Sequence, residues 1–228
     1  MAEDFSQSVD LAASHPDKLA ELRALFETEA VRYGVYPLRD ASARRGGDYA
    51  PPHSMEGHSK MTYGPMHIRM PEHGVINLKN TSYRIAATVM VQAGGQGVIA
   101  CQGGNMAGWS LYLDEASRPS YVYNWFGHEF TTLVGEPLAA GEHQICVEYA
   151  HDGGFAAGGD LELLVNGERA AGGRVKRTVP VIFSMSGETF DVGRDTGSPV
   201  GKYPHDFAFV GVIHGVTLER LAEPSQEV

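Results

Sequence analysis

Apolar residues recur at helical spacing only near the start of the chain. Leu19, Leu22, Leu25, Phe26 and Ala30 share one face, and Glu21, Arg23, Glu27, Glu29 and Arg32 lie on the other. The spacing predicts a helix over residues 14–33. Ser14 is placed to cap it, Pro16 suits the first turn, Asp17 lies three residues after the cap, and Gly34 is a natural stop. The pattern lapses over residues 36–60, where Pro37, Arg44, Arg45, Gly46, Gly47, Pro51 and Pro52 leave little to bury, so this stretch reads as a linker.

From Met61 the period changes to two. Tyr83, Ile85, Ala87, Val89 and Val91 alternate with Arg84, Ala86, Thr88 and Met90, which predicts a strand with one face buried. Residues 97–101, 109–113 and 121–126 follow as short strands separated by Gly- or Pro-containing turns. Ile145, Val147 and Tyr149 again alternate with polar neighbours. Residues 161–165 and 168–171 flank Asn166-Gly167, the two-residue turn in which both positions tolerate positive φ, so they predict a hairpin. The apolar runs 179–185 and 208–218 complete the set. Many short strands without intervening helices indicate a mostly β chain, an antiparallel β-sandwich preceded by one amphipathic helix and a linker. The expected division is residues 1–35 helical, 36–60 linker, 61–221 sandwich and 222–228 tail.

Composition fits this reading. Among 228 residues, 28 glycines suit many tight turns, and 43 % apolar residues suffice for a core. The formal charge of −10 argues against a nucleic-acid footprint or an anionic-membrane surface. No apolar run reaches membrane-spanning length. No basic segment followed by an apolar core opens the chain, so no signal peptide is visible and the cytoplasm is the default expectation. Cys101 and Cys146 lie in strand-like runs and read as buried free thiols, with a disulfide between them left open.

The stretch most dense in chemistry is Phe190-Asp191-Val192-Gly193-Arg194-Asp195-Thr196-Gly197-Ser198-Pro199-Val200. Arg194 stands between two carboxylates. The plain reading is a structural loop in which Asp191 and Asp195 accept turn amides and Arg194 ties the loop down. The sharper one gives Asp191 and Asp195 to a cation such as calcium. His53 and His58, with Glu56 between them, read as solvated rather than as metal ligands. Tyr121, Tyr123 and Trp125 alternate in one strand, either as core partners or as a platform on which a sugar ring could stack. There is no Gly-x-Ser-x-Gly elbow, no His-Glu-x-x-His and no phosphate loop with lysine.

Several blocks together resemble the C-terminal region of the long bacterial arylsulfatases. They are Ser186-Gly187-Glu188-Thr189 with the loop above, Asp206-Phe207-Ala208-Phe209-Val210-Gly211, Gly97-Val98-Ile99-Ala100-Cys101-Gln102-Gly103-Gly104, Gly108-Trp109-Ser110-Leu111-Tyr112, Tyr121-Val122-Tyr123-Asn124-Trp125-Phe126-Gly127 and Tyr149-Ala150-His151-Asp152-Gly153-Gly154. The resemblance implies a jelly-roll, concanavalin-like sandwich following a sulfatase domain, with residues 1–35 as that domain's terminal segment. The family's catalytic domain uses a formylglycine nucleophile and a divalent metal, calcium. No Cys or Ser here heads Cys/Ser-x-Pro-x-Arg, and the family's metal-binding Asp-Asp pair and catalytic Lys and His blocks are missing. The resemblance therefore implies a non-catalytic part of a sulfuric ester hydrolase, without catalytic residues or a cofactor of its own, whose partner is a sulfatase catalytic domain. The alternative is a free-standing carbohydrate-binding sandwich with carbohydrate as partner.

Overall fold

The computed structural model describes residues 6, 8–38, 54–185 and 187–221. The chain divides into two compact units, Met1–Pro51 and Pro52–Val228.

Among the described residues the first unit holds one helix, α1, Pro16–Arg32. Its cap position is His15, not Ser14 as the sequence predicts, and no side chain caps it. Ser14 is drawn into the preceding turn, where its amide and hydroxyl both donate to the Leu11 carbonyl, at 3.1 and 3.3 Å. The C-terminus closes as expected. Gly34 takes φ 64°, its amide donates to Val31, and the Val35 amide reaches back to Ala30 at 2.9 Å. On the apolar face Ala30 is buried, while Leu22, Leu25 and Phe26 stand about half exposed.

Among the described residues the second unit has eleven strands. They are β1 Lys60–Tyr63, β2 Tyr83–Val91, β3 Gly97–Gly103, β4 Gly108–Leu113, β5 Pro119–Trp125, β6 Glu129–Val134, β7 Gly141–His151, β8 Gly159–Val165, β9 Glu168–Val175, β10 Phe190–Val192 and β11 Gly211–Arg220. They form a six-stranded sheet in the order β1-β11-β2-β7-β8-β9 and a five-stranded sheet in the order β10-β3-β4-β5-β6. All of these strand pairs are antiparallel, so the chain is a two-sheet antiparallel β-sandwich. Asn166 and Gly167 turn the β8–β9 hairpin at φ 53° and 85°, as their sequence requires.

The two sheets are buried differently. Strand β2 alternates between buried and part-exposed positions, because the outer face of the six-stranded sheet meets water. Charges cross that face in register, Lys60 with Glu219 and Arg84 with Glu148. Strands β3, β4 and β5 are buried at nearly every position. Their inward side chains, Trp109, Leu111, Tyr121 and Tyr123 among them, join the main core with Tyr83, Ile85, Val147 and Tyr149. Their outward side chains, Val98, Cys101, Tyr112 and Val122, form a second apolar layer with Val200, Tyr203 and Phe207. A bulge between Val98 and Ala100 sets Ile99 and Ala100 inward and Cys101 outward.

Residues 179–185 do not form the strand that their apolar run predicts. Pro180 has no amide to give. The Val179 amide donates to the Tyr123 hydroxyl and the Phe183 amide to Glu72, so side chains take the bonds a ladder would need. Val179 and Phe183 bury, and Val181 and Ile182 face outward. Conversely, Phe190–Val192, read from sequence as loop, pairs with β3 as the edge strand β10.

Candidate functional site

The second apolar layer exists because one segment of chain returns over the outer face of the five-stranded sheet. It leaves β10 at Gly193, φ 89°, where a left-handed turn is needed, and ends in backbone bonds from Val98 to Phe207 (2.8 Å) and from Val210 to Gln96 (2.7 Å). Two buried carboxylates shape it. Asp191 accepts the Arg69 amide on Oδ1 at 2.5 Å, and on Oδ2 the Thr196 amide and the Thr196 and Thr189 hydroxyls at 3.2, 2.8 and 3.3 Å. Asp195 accepts the amides of Gly197 and Val200 and, at 2.8 Å, the Tyr203 hydroxyl. Glu188 holds Ser198 by both its hydroxyl and its amide. Asn124, fully buried on β5, donates to the carbonyls of Gly104, Asn105 and Val200 and accepts the Gly127 amide, tying two turns and the segment together.

Arg194 does not bridge Asp191 and Asp195. It points to solvent and pairs with Asp206 at 3.5 Å, both side chains being close to half exposed. The reason is valence. The two aspartates already accept bonds from amides and hydroxyls packed around them, leaving the guanidinium outside. The Arg194 carbonyl does enter the cluster, accepting the Cys101 thiol at 3.6 Å.

Cys101, Asp191 and Asp195 bring ligand-type atoms within 4.8 Å of one another. They do not suit calcium. Calcium takes six to eight oxygens, whereas this group includes a thiol, and its carboxylate oxygens are turned toward protein donors. Burial, followed by the charges of Asp195 and Asp191, pushes the Cys101 thiol well above its ordinary range. Burial also raises Asp195, against the pull of its Tyr203, Val200 and Gly197 donors. His53 lies outside the described residues, and His58 and Glu56 are exposed.

Of the three aromatics singled out in β5, Tyr121 and Tyr123 are core residues. Tyr121 shares a 2.8 Å hydroxyl contact with Tyr83. Only Trp125, at the strand's end, reaches the surface.

The returning segment also walls a cleft of about 470 Å³ against the turn joining β4 to β5. Its apolar side is a run of rings. Tyr112 meets Tyr203 at 4.9 Å, and Tyr203 stacks on Phe207 at 5.7 Å with the planes 21° apart. Its polar side is built on Asp114, which accepts the amides of Ala116 and Arg118 on Oδ1 and the Arg118 guanidinium on Oδ2 at 2.7 Å. Burial would raise the Asp114 pKa, but the Arg118 guanidinium and the two amides together outweigh it and hold the carboxyl below its ordinary value. Glu115 and Lys202 stand exposed at the rim, and among the described residues Lys202 has no ion-pair partner. Sequence reasoning did not find this cleft. Tyr112, Asp114 and Arg118 come from the end of β4 and the turn after it, and Lys202, Tyr203 and Phe207 from a distant segment. The local signal was the Asp114-x-x-x-Arg118 pair before Pro119.

No family model matches the chain, and no curated protein matches it. The arylsulfatase resemblance therefore rests on the sequence blocks alone. Solved structures do resemble the chain. One is the CBM40 of a Ruminococcus gnavus IT-sialidase bound to α2,3-sialyllactose, 14 % identical over 73 % of this chain and 89 % of that one, with a TM-score of 0.49. A leech intramolecular trans-sialidase complexed with 2,7-anhydro-Neu5Ac is 14 % identical over 74 % of this chain and 26 % of its own, with a TM-score of 0.48. Domains LG4-5 of the mouse laminin α1 chain are 16 % identical over 71 % and 38 %, with a TM-score of 0.39. At these identities and TM-scores the likeness is one of overall form.

Proposed function

We propose that the chain is a carbohydrate-binding β-sandwich module whose ligand seats in the cleft between the β4–β5 turn and residues 202–207. The observation that carries this reading is the pairing of a ring wall with a polar rim in one cleft. A sugar presents C–H faces, which suit Tyr203 and Phe207, and hydroxyl edges, which suit Lys202, Glu115 and the Asp114–Arg118 pair. The volume lies within the range of small-ligand sites, about 300–1,000 Å³. The cleft holds rather than transforms its ligand. Asp114 is occupied by Arg118 and turn amides, and the Ser120 hydroxyl donates to the Arg118 carbonyl, so neither is set up as base or nucleophile. Titration against a panel of neutral and acidic oligosaccharides tests it. Saturable binding that is weakened by Lys202→Ala and by Phe207→Ala, with the melting curve retained, supports the reading. Binding untouched by both substitutions refutes it.

A second reading keeps the sulfatase resemblance and makes the chain the non-catalytic C-terminal part of a sulfuric ester hydrolase, packed on a catalytic half. The half-exposed Leu22, Leu25 and Phe26 of α1 favour it, because an apolar helix face suits a protein partner. A complex with a sulfatase catalytic polypeptide, lost in Leu22→Asp and Phe26→Asp, supports this reading. Failure of the unaltered chain to form such a complex counts against it.

A further inference from the structure

Arg177 sits over the Trp125 ring, its guanidinium carbon 3.7 Å from the ring centroid. Several other arginines of the sandwich face carboxylates, Arg84 with Glu148, Arg118 with Asp114 and Arg174 with Asp152 and Asp160. Among the described residues no carboxylate pairs with Arg177, and the nearby Glu129 is taken by Lys176 at 3.0 Å. The arginine is nevertheless held. Thr178 and Val179, the next two residues, are buried and anchored, Thr178 by its hydroxyl to the Ala157 carbonyl and Val179 by its amide to the Tyr123 hydroxyl. Trp125 is itself packed against the main core.

A guanidinium held over a ring still has N–H groups to give to a ligand. Such a fork matches the two oxygens of a carboxylate or sulfate, and the indole limits where the guanidinium can stand. Phe126 stands beside it, edge-on to Trp125 at 5.2 Å and partly exposed, with the His128 ring 6.3 Å from the indole. An aromatic edge next to a cationic fork fits a pyranose bearing an acid group better than it fits an extended acidic peptide. The place is distinct from the cleft. The two lie at opposite ends of β5, roughly 20 Å apart at about 3.3 Å per residue, and on different faces of the sheet.

We propose that Arg177, held over Trp125 and flanked by Phe126, is a second binding site of the sandwich, one that takes the carboxylate or sulfate of an acidic saccharide. This site stands independently of the cleft. The test is tryptophan fluorescence, because Trp125 is at the site and the other tryptophan, Trp109, is fully buried. The intact chain is titrated with oligogalacturonate, with sulfated dextran oligomers, with neutral dextran oligomers and with oligoglutamate. The expected result is a saturable, salt-sensitive change with either acidic saccharide and none with neutral dextran. Arg177→Ala should weaken binding about tenfold or more, and Arg177→Lys should restore only part of it, because an ammonium lacks the fork. Lys202→Ala, in the cleft, should leave this signal unchanged. Comparison of the two acidic saccharides tells carboxylate from sulfate. Equal binding of oligoglutamate or neutral dextran overturns the assignment, as does unchanged affinity in a folded Arg177→Ala chain. If Lys202→Ala abolishes the signal and Arg177→Ala does not, the cleft is the acidic-saccharide site and this proposal fails.

Discussion

Replacing Asp191 by alanine tests how the outer layer is held on the sheet. The side chain is 1 % exposed and accepts four bonds, from the Arg69 and Thr196 amides and from the Thr189 and Thr196 hydroxyls. The two hydroxyls can rotate toward other acceptors, but the two amides cannot. An amide left unpaired away from water costs about 1–3 kcal/mol, so the two cost about 2–6 kcal/mol, and with roughly 1 kcal/mol for the lost hydroxyl bonds the expected loss is about 3–7 kcal/mol. Relief of the like charge on Asp195 offsets a part of this. For a domain of this size each kcal/mol moves Tm by about 2–4 °C, so a drop on the order of 10 °C is expected. Arg194→Ala is the matched control. Its ion pair with Asp206 is exposed on both sides, and such pairs contribute about 0–1 kcal/mol. The assay is calorimetric melting of both variants beside the parent, with and without calcium, which should change nothing. An Asp191→Ala chain that melts within about 2 °C of its parent, or an Arg194→Ala chain that falls as far as Asp191→Ala, refutes the account.

Asp114 carries a pH signature. Its folded pKa lies below the ordinary 3.8, so its contribution is present above that value and is lost as pH falls through the folded pKa. The stability gap between parent and Asp114→Asn should be constant above about pH 5 and close in more acid solution, and a gap that instead widens toward low pH contradicts the assignment. Cys101 is buried and Cys146 is half-buried with its thiol pushed up to about 11, chiefly by burial, and both are free. Native chain at neutral pH should therefore label slowly at Cys146 and not at Cys101, as peptide mass mapping will report. Purified chain should not turn over p-nitrophenyl sulfate, since it carries no Cys/Ser-x-Pro-x-Arg nucleophile, and turnover above a heat-killed control would contradict that.

What could be read from the sequence depended on which faces meet water. Strand β2 was legible residue by residue because its sheet has a wet face that imposes alternation. Strands β3 to β5 are covered on both sides, so they read only as apolar runs, and the similar run at 179–185 predicts a strand that Pro180 and the side-chain bonds around it prevent. Strand β6 gave no clear signal, because Glu129, Thr131 and Thr132 are polar, its apolar Phe130 is exposed and only Leu133 is buried. In the 190–200 stretch, Asp191 and Asp195 as turn acceptors were legible, since short carboxylates beside glycines serve nearby amides. The partner of Arg194 was not, because Asp206 arrives on the returning segment. The cleft needed that same return, which sets Tyr203 against Tyr112. No local pattern in either turn encodes their meeting.

The central claim, that a sugar seats in this cleft, is tested most directly by amide chemical-shift mapping of the intact chain with the oligosaccharide that binds best. The expected result is a continuous set of shifts over residues 114–120 and 202–207, saturating with the same affinity throughout and absent in Phe207→Ala. Saturable binding whose shifts fall elsewhere on the sandwich, or a full panel of oligosaccharides that moves no amide in either segment, would contradict it.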